Sequence, residues 1–347
     1  MIRIDKAKIY AYSDVINDID LSVFKEIKET ENGKVKTKWI NSKINIPGLK
    51  YIEYRERNEQ IIIETTSKIL LDNYYDMITI DTVEQLFDKI NNTGIVKIDK
   101  TKIDQFNTYS LDITQNIDAH LIGEDLTPGK VINSCATITN DKFETNRYKG
   151  KKDDKYRTGI EYRTRLKENN ERLIIYDKET EVNRSKKGDK VSKLFWDNVS
   201  RPLILRNKFE NIVRPEMNIR SKDRMREYLK TDNFIQILQS KEQPLYKIFS
   251  KIKRYDYSQL ELFNYPDHYK WYMIEKIEGR KSIIKKCDYN IELIRGYMRQ
   301  YLEAKNISRY IREYSLLITE MLMENNNEVF ISKEIIEKFE QQLKMAI

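Results

Sequence analysis

Up to about residue 220 the apolar residues of this chain come in short runs and alternations, and beyond Ser221 they recur at helical spacing. That change of period limits the fold to a strand-rich front followed by a helical back. The strand-like runs are Ile2-Arg-Ile4, Ala7-Lys-Ile-Tyr10, Gln60-Ile-Ile-Ile-Glu-Thr65, Ser110-Leu-Asp-Ile-Thr114, Thr158 to Thr164, Arg172-Leu-Ile-Ile-Tyr176 and Ile212 to Ile219. Pro215 cannot donate to a ladder, so the last run is expected at a sheet edge or a bulge. Helices are expected around Ser67 to Asn73, from Thr82 through Val83, Leu86, Phe87 and Ile90, and at the basic stretch Arg184 to Lys193. Lys167 to Glu171 reads as a turn, and Asn140 to Lys155 as an exposed loop or hairpin tip. Beyond Ser221, Ile291 to Lys305 and Glu334 to Leu343 are amphipathic. The expectation is an α+β fold: an antiparallel-sheet domain with flanking helices over residues 1–230, then a mostly helical region over 231–347.

Charge narrows the partners only a little. Lys and Arg number 63 against 55 Asp and Glu, a net +8, and 23 tyrosines are interleaved with them. Aromatic faces among cations suit unpaired bases, although AT-rich codon usage also favours Lys and Tyr. Cys135 and Cys287 lie far apart without metal-ligand spacing, which argues against a disulfide framework or zinc finger and for a reducing, cytoplasmic setting. No apolar run reaches about 18 residues and the start lacks a signal-peptide core, so no membrane partner is expected.

Three carboxylates stand inside apolar strand-like runs: Glu64, Asp112 and Glu216. Such a carboxylate either faces solvent or needs compensation, and a divalent cation with oxygen ligands is one compensator. Tyr176 ends its run two residues before Lys178, a spacing that puts both on one face of an extended segment. A phenol with an ordinary pKa near ~10 needs a neighbouring cation or metal to act as a nucleophile.

The stretch Arg172-Leu-Ile-Ile-Tyr-Asp-Lys-Glu-Thr-Glu181, followed by Ile212-Val-Arg-Pro-Glu-Met-Asn-Ile-Arg220, resembles the paired signatures of the filamentous-phage gene II replication proteins. It is also similar to rolling-circle plasmid initiators that carry a Tyr-x-Lys and a following Arg-x-Glu strand. Ser110 to Thr114, Ile63 to Leu70 and Lys286 to Ile294 extend the resemblance in patches over residues 60 to 300. The resemblance implies an endonuclease-like sheet domain that nicks and rejoins origin DNA through a covalent 5′-phosphotyrosine and leaves a 3′-OH primer. Residue by residue, it makes Tyr176 the nucleophile, Lys178 its cationic helper, and Glu64, Asp112 and Glu216 the ligands of Mg²⁺ or Mn²⁺. Arg214 would hold Glu216 or a phosphate, and Arg172, Lys151 and Lys152 would contact DNA.

Related endonucleases often use paired histidines. This chain has only His120 and His268, so its carboxylates would carry the metal, with His120 a turn histidine or a further ligand. Tyr162 is the candidate for a second participating tyrosine. The implied partners are single- and double-stranded origin DNA and a bacterial host's helicase and polymerase. Basic, tyrosine-bearing helix faces such as Arg295, Tyr297, Arg299 and Tyr301 would supply duplex affinity. A non-catalytic DNA-binding initiator or repressor fits the same composition. A tyrosine recombinase fits less well, because it wants Arg, His and Lys on helices around the tyrosine.

Overall fold

A computed structural model describes residues 1–31, 34–41, 45–136, 138, 143–149, 157–165, 171–183, 190–253, 265–266, 268–287, 290–324 and 330–345. Lys151 and Lys152, and most of the stretch Arg184 to Lys193, lie outside the described residues. Thirteen strands are described: β1 (Ile4–Tyr12), β2 (Ile16–Ile19), β3 (Lys25–Glu31), β4 (Lys34–Asn41), β5 (Leu49–Arg55), β6 (Gln60–Thr66), β7 (Val96–Ile98), β8 (Asn107–Thr114), β9 (Ile117–Asp118), β10 (Phe143–Lys149), β11 (Arg157–Thr164), β12 (Arg172–Asp177) and β13 (Ile212–Ile219). Eleven form one sheet in the order β10-β11-β12-β13-β8-β1-β6-β5-β4-β3, with β9 also paired to β13; β2 and β7 pair separately. Every pairing is antiparallel. The fold class is thus α+β with a large antiparallel sheet in the N-terminal part and helices towards the C-terminus.

Alternation divides this sheet into two unlike faces. One face presents Ala7, Ile9, Ile61, Ile63, Leu111, Ile113, Leu173, Ile175, Val213 and Met217, all buried in the main core. Helices Pro128–Cys135, Pro244–Lys253 and Phe330–Met345 cover it, the last packing on the other two. The opposite face carries polar residues at the alternate positions, among them Lys6, Lys8, Asp112, Tyr176, Arg214, Glu216 and Asn218.

Pro215 lies on an interior strand, not at an edge. Its backbone faces the break between β8, which pairs with Glu216 to Ile219, and β9, which pairs with Ile212 and Val213. The Pro215 carbonyl accepts the Thr114 hydroxyl at 2.9 Å and the Gln115 N–H at 3.3 Å on that side. The donor that proline lacks therefore falls where no ladder partner stands.

The helix expected near Ser67 is a 3₁₀ segment, Ser67–Asp76, broken at Leu71 with φ of 53°. In an unbroken α-helix Leu70 and Tyr74 would share a face. Here Leu70 joins the main core while Tyr74 joins a small cluster with Phe195, Val199, Leu205 and Phe209. The break is what lets the chain serve both.

The boundary expected at residue 230 also needs correction. Phe234, Ile237, Leu245, Ile248, Phe249, Ile336, Phe339 and Leu343 belong to the same core as the sheet. Among the described residues, a second sizeable core forms within residues 271–321, around Trp271, Ile284, Ile294, Tyr297 and Tyr314. Tyr297, expected on a DNA-facing surface, is 1% exposed in that core. The sheet's apolar face cannot stand in water, and the final helix is part of what buries it. Phe339→Ala is therefore expected to lower stability by about 3–5 kcal/mol, measured by urea denaturation. A chain ending at residue 230 is expected to show no cooperative melt by circular dichroism.

Candidate active site

The polar face gathers its groups through strand register. Tyr176 on β12 lies opposite Arg214 on β13, Ile174 opposite Glu216, and Arg172 opposite Asn218. β8 then sets Asp112 against Asn218, and β1 sets Lys6 against Asp112. Two bulges mark the β1–β8 pairing, with Asp5 the extra residue in β1 and Tyr109 the extra residue in β8. A bulge turns a side chain that alternation would send elsewhere. Asp5 thereby joins the polar face, and its carboxylate accepts the Ser67 hydroxyl.

The Tyr176 hydroxyl donates to Glu216 Oε2 at 3.2 Å. Behind this pair Arg214 is completely buried. Its Nε donates to Asn116 Oδ1 at 2.8 Å, and Nη1 stands 3.9 Å from Asp5 Oδ1. Neither Nη1 nor Nη2 has a hydrogen-bond partner among the described residues. The guanidinium lies against Tyr74 and Phe209, with its carbon 5.8 and 5.5 Å from the ring centroids. Lys178, 2% exposed, donates to Glu181 Oε2 at 2.5 Å and to the Tyr74 hydroxyl at 2.8 Å. Its ammonium stands 5.7 Å from the centroid of the Tyr176 ring.

Burial and like charge set the proton affinities. Burial, followed by repulsion from Asp5 and Asp112, pushes the Glu216 carboxyl up to about 7. Burial and the Glu216 charge push the Tyr176 phenol well above 10, against the opposing pull of Arg214. Asp5 goes the other way. Burial would raise it, but Arg214, Lys178 and the Ser67 hydrogen bond hold it low. Lys178 is lowered by burial and by Arg214, with Glu181 restraining the shift. Asp112 is raised, first by burial and then by Asp5.

The expected residues divide accordingly. Tyr176, Lys178, Arg214 and Glu216 come together, and Asp112 adjoins them. Lys178 arrives by a different route from the one its spacing implied, since β12 ends at Asp177 and Lys178 opens the helix Lys178–Asn183. It faces the phenol ring rather than the hydroxyl. Arg172 is engaged internally, with Nε 2.6 Å from Glu161 Oε1 and Nη1 donating to Asn218 Oδ1 at 3.0 Å. Tyr162 is buried on the apolar face with its hydroxyl on the Cys135 carbonyl, so it does not reach the site. His120 is an exposed turn residue 3.3 Å from Asp118. Both cysteines are buried, and neither forms a disulfide among the described residues.

Glu64 stands apart, ion-paired to Lys6 at 2.6 Å, two strands from Asp112. Among the described residues no three His, Cys, Asp or Glu side chains are placed to hold a metal ion. The expected Glu64–Asp112–Glu216 cage is therefore not assembled. Asp112 accepts a hydrogen bond from Asn218 Nδ2 at 2.6 Å and lies on the strand next to Glu216, whose charge it repels. Asp5, Glu181 and Tyr74 were missed by sequence reasoning. The signal for Asp5 was the pair of polar residues, Asp5 and Lys6, between Ile4 and Ala7, where strict alternation allows one.

No family model and no curated protein matches the chain. A solved structure similar to it is that of a rolling circle replication initiator protein from Geobacillus stearothermophilus. That likeness covers 68% of this chain and 76% of that one at 10% identity, with a TM-score of 0.31. Among the described residues no helix is long and apolar enough to cross a membrane.

The raised Glu216 pKa fixes a pH dependence of stability. A carboxyl held above its ordinary 4.5 keeps its proton more tightly when folded, so ionising it costs stability as pH rises from 4.5 to about 7. Glu216→Gln stays neutral throughout. It is expected to gain melting temperature relative to the parent at pH 8 compared with pH 5, read by scanning calorimetry at both values.

Proposed function

We propose that this chain is a rolling-circle replication initiator that nicks and rejoins origin DNA, with Tyr176 as the nucleophile. The observation that carries the reading is the hydrogen bond from the Tyr176 hydroxyl to Glu216. A phenol held well above its ordinary pKa does not ionise unaided near neutral pH, and Glu216, at about 7, is matched to take its proton. The step balances simply. The Tyr176 oxygen bonds to phosphorus as its proton passes to Glu216, and the phosphorus–O3′ bond breaks. The departing 3′ oxygen takes a proton from water, leaving a 5′-phosphotyrosine and a 3′-OH primer. Rejoining runs the sequence backwards, and the phosphotyrosine bond conserves the energy of the one it replaced.

Arg214 sits behind the phenol as fixed positive charge, with the Lys178 ammonium beside it. Charge of that kind favours a tyrosyl oxygen that is losing its proton and an attacked phosphate that is gaining negative charge. When bound, Mg²⁺ or Mn²⁺ would polarise the scissile phosphate; Asp112 is the carboxylate that would meet it, with Glu216 kept as the base. The DNA partner is a single-stranded origin segment exposed within duplex, and the freed 3′ end is a primer for a host polymerase following a helicase. A phage or a plasmid would own such an enzyme.

Tyr176→Phe is expected to abolish nicking of supercoiled origin DNA while DNA affinity stays within a few fold, read by agarose gel and by anisotropy. Nicking at the parental rate would remove Tyr176 from the chemistry. Loss of the base in Glu216→Gln is expected to slow cleavage by roughly 10²–10⁴-fold. The parental single-turnover rate is expected to rise through pH of about 7 and level off above it, because only ionised Glu216 accepts the proton. A non-catalytic initiator would bind the same DNA and yield no nicked circles with Mn²⁺.

A further inference from the structure

The polar face continues beyond the Tyr176 cluster, across β8, β1, β6 and β5, to a second group of side chains that the nicking chemistry does not use. Tyr10 and Tyr109 stack there with ring centroids 4.3 Å apart and planes inclined by 29°. Lys8 places its ammonium 5.5 Å from the centroid of Tyr51 and 5.7 Å from that of Tyr109. Lys222 lies 4.7 Å from the Tyr10 centroid and hydrogen-bonds its hydroxyl. Tyr10 is buried beneath, whereas Tyr51, Tyr109, Lys8 and Lys222 are half-buried.

We propose that this tyrosine–lysine patch is a stacking platform for unpaired DNA bases on one side of the scissile phosphate. The choice of DNA as the strand rests on the nicking reading; the platform itself rests on the patch.

Three observations support a ligand rather than packing alone. First, Tyr109 reaches the face only through the β8 bulge, and it leans on Tyr10 while its hydroxyl donates to Gln60 Oε1 at 3.1 Å. The bulge gives up a regular ladder position and leaves a ring half in water, where a base can cover it. Second, nearby acids are already occupied: Glu64 by Lys6 at 2.6 Å, Glu53 by Arg55 at 2.6 Å, and Asp232 by Arg226 at 3.5 Å and Lys222 at 3.8 Å. Lys8 has no ion pair among the described residues and is held only against aromatic faces, so its charge is free for a phosphate. Third, the patch shares a face with Tyr176. Strand spacings of about 4.8 Å and a rise of about 3.3 Å per residue put Tyr109 roughly 25 Å from Tyr176. That diagonal is a span of several nucleotides, within the range of about 4–16 that single-strand-binding folds cover. Stacking on a ring requires an open base face, which a duplex keeps covered by its own neighbours.

The test uses the full-length chain carrying Tyr176→Phe, so that the ligand is not cut, and a fluorescein-labelled single-stranded oligonucleotide read by anisotropy. Adding Tyr109→Ala or Tyr51→Ala is expected to weaken binding by roughly 5- to 100-fold. Tyr109→Phe, which keeps the ring, is expected to bind like its parent. On an abasic oligonucleotide of the same length the alanine variants are expected to match their parent, because no base is left to stack. Lys8→Ala is expected to weaken both ligands and to flatten the salt dependence. Circular dichroism checks each variant's fold, and Tyr51→Ala decides alone if Tyr109→Ala unfolds. Parental affinity in the folded alanine variants, or an equal loss on the abasic strand, would overturn the platform. Binding is read without cleavage, so a chain that never nicks but shows this pattern refutes the nicking reading and keeps the platform.

Discussion

A guanidinium with no exposed surface organises the polar half of this molecule. Arg214 is held by a strand whose neighbouring side chains are Tyr176 across the ladder and Glu216 two residues on. Burying a charge of this size is costly unless opposite charge and polar groups surround it. The surroundings reflect that demand: Asp5 is drawn in through a bulge and held ionised, and Asn116 Oδ1 accepts the hydrogen bond from Nε. Lys178, a second cation nearby, is pushed toward neutrality by burial and by Arg214, and Glu181 restrains it. The two Nη atoms left without hydrogen-bond partners among the described residues are the unsettled part of this balance. A buried donor without an acceptor is unfavourable by about 1–3 kcal/mol.

Such an arrangement is possible only because the sheet divides its labour by face. The apolar side is closed by helices from both the middle and the end of the chain, so the polar side is free of the task of making a core. Its small aromatic cluster of Tyr74, Phe195 and Phe209 shields Arg214 and Lys178 while Tyr176 and Glu216 keep some contact with solvent. Charge is thus desolvated behind the phenol and accessible in front of it.

Much of this was legible in the sequence. Period-two alternation locates β6, β8, β11, β12 and β13, and places Arg214 and Glu216 on one face of a strand. The cross-strand meeting of Tyr176 with that face needed register, which depends on partners far away in the chain. Pro215 misled because a local rule about donors says nothing of a gap between two short partner strands. The boundary at residue 230 misled for a related reason. An amphipathic helix declares that it has an apolar face but not which surface will cover it, so Phe339 read the same whether it closed the sheet or a separate bundle. Glu64 sits in a strand like the others, yet Lys6 on the adjacent strand neutralises it, a pairing invisible without the register.

The proposed chemistry depends most on the Tyr176 oxygen leaving its hydrogen-bond partner Glu216 and joining phosphorus. The direct measurement is peptide mapping by mass spectrometry after the chain has reacted with a single-stranded origin oligonucleotide and Mn²⁺. The account predicts a 5′-phosphonucleotide on the tyrosine of the peptide Leu173-Ile-Ile-Tyr176. An adduct on another tyrosine, or cleaved DNA with no adduct at all, would contradict it.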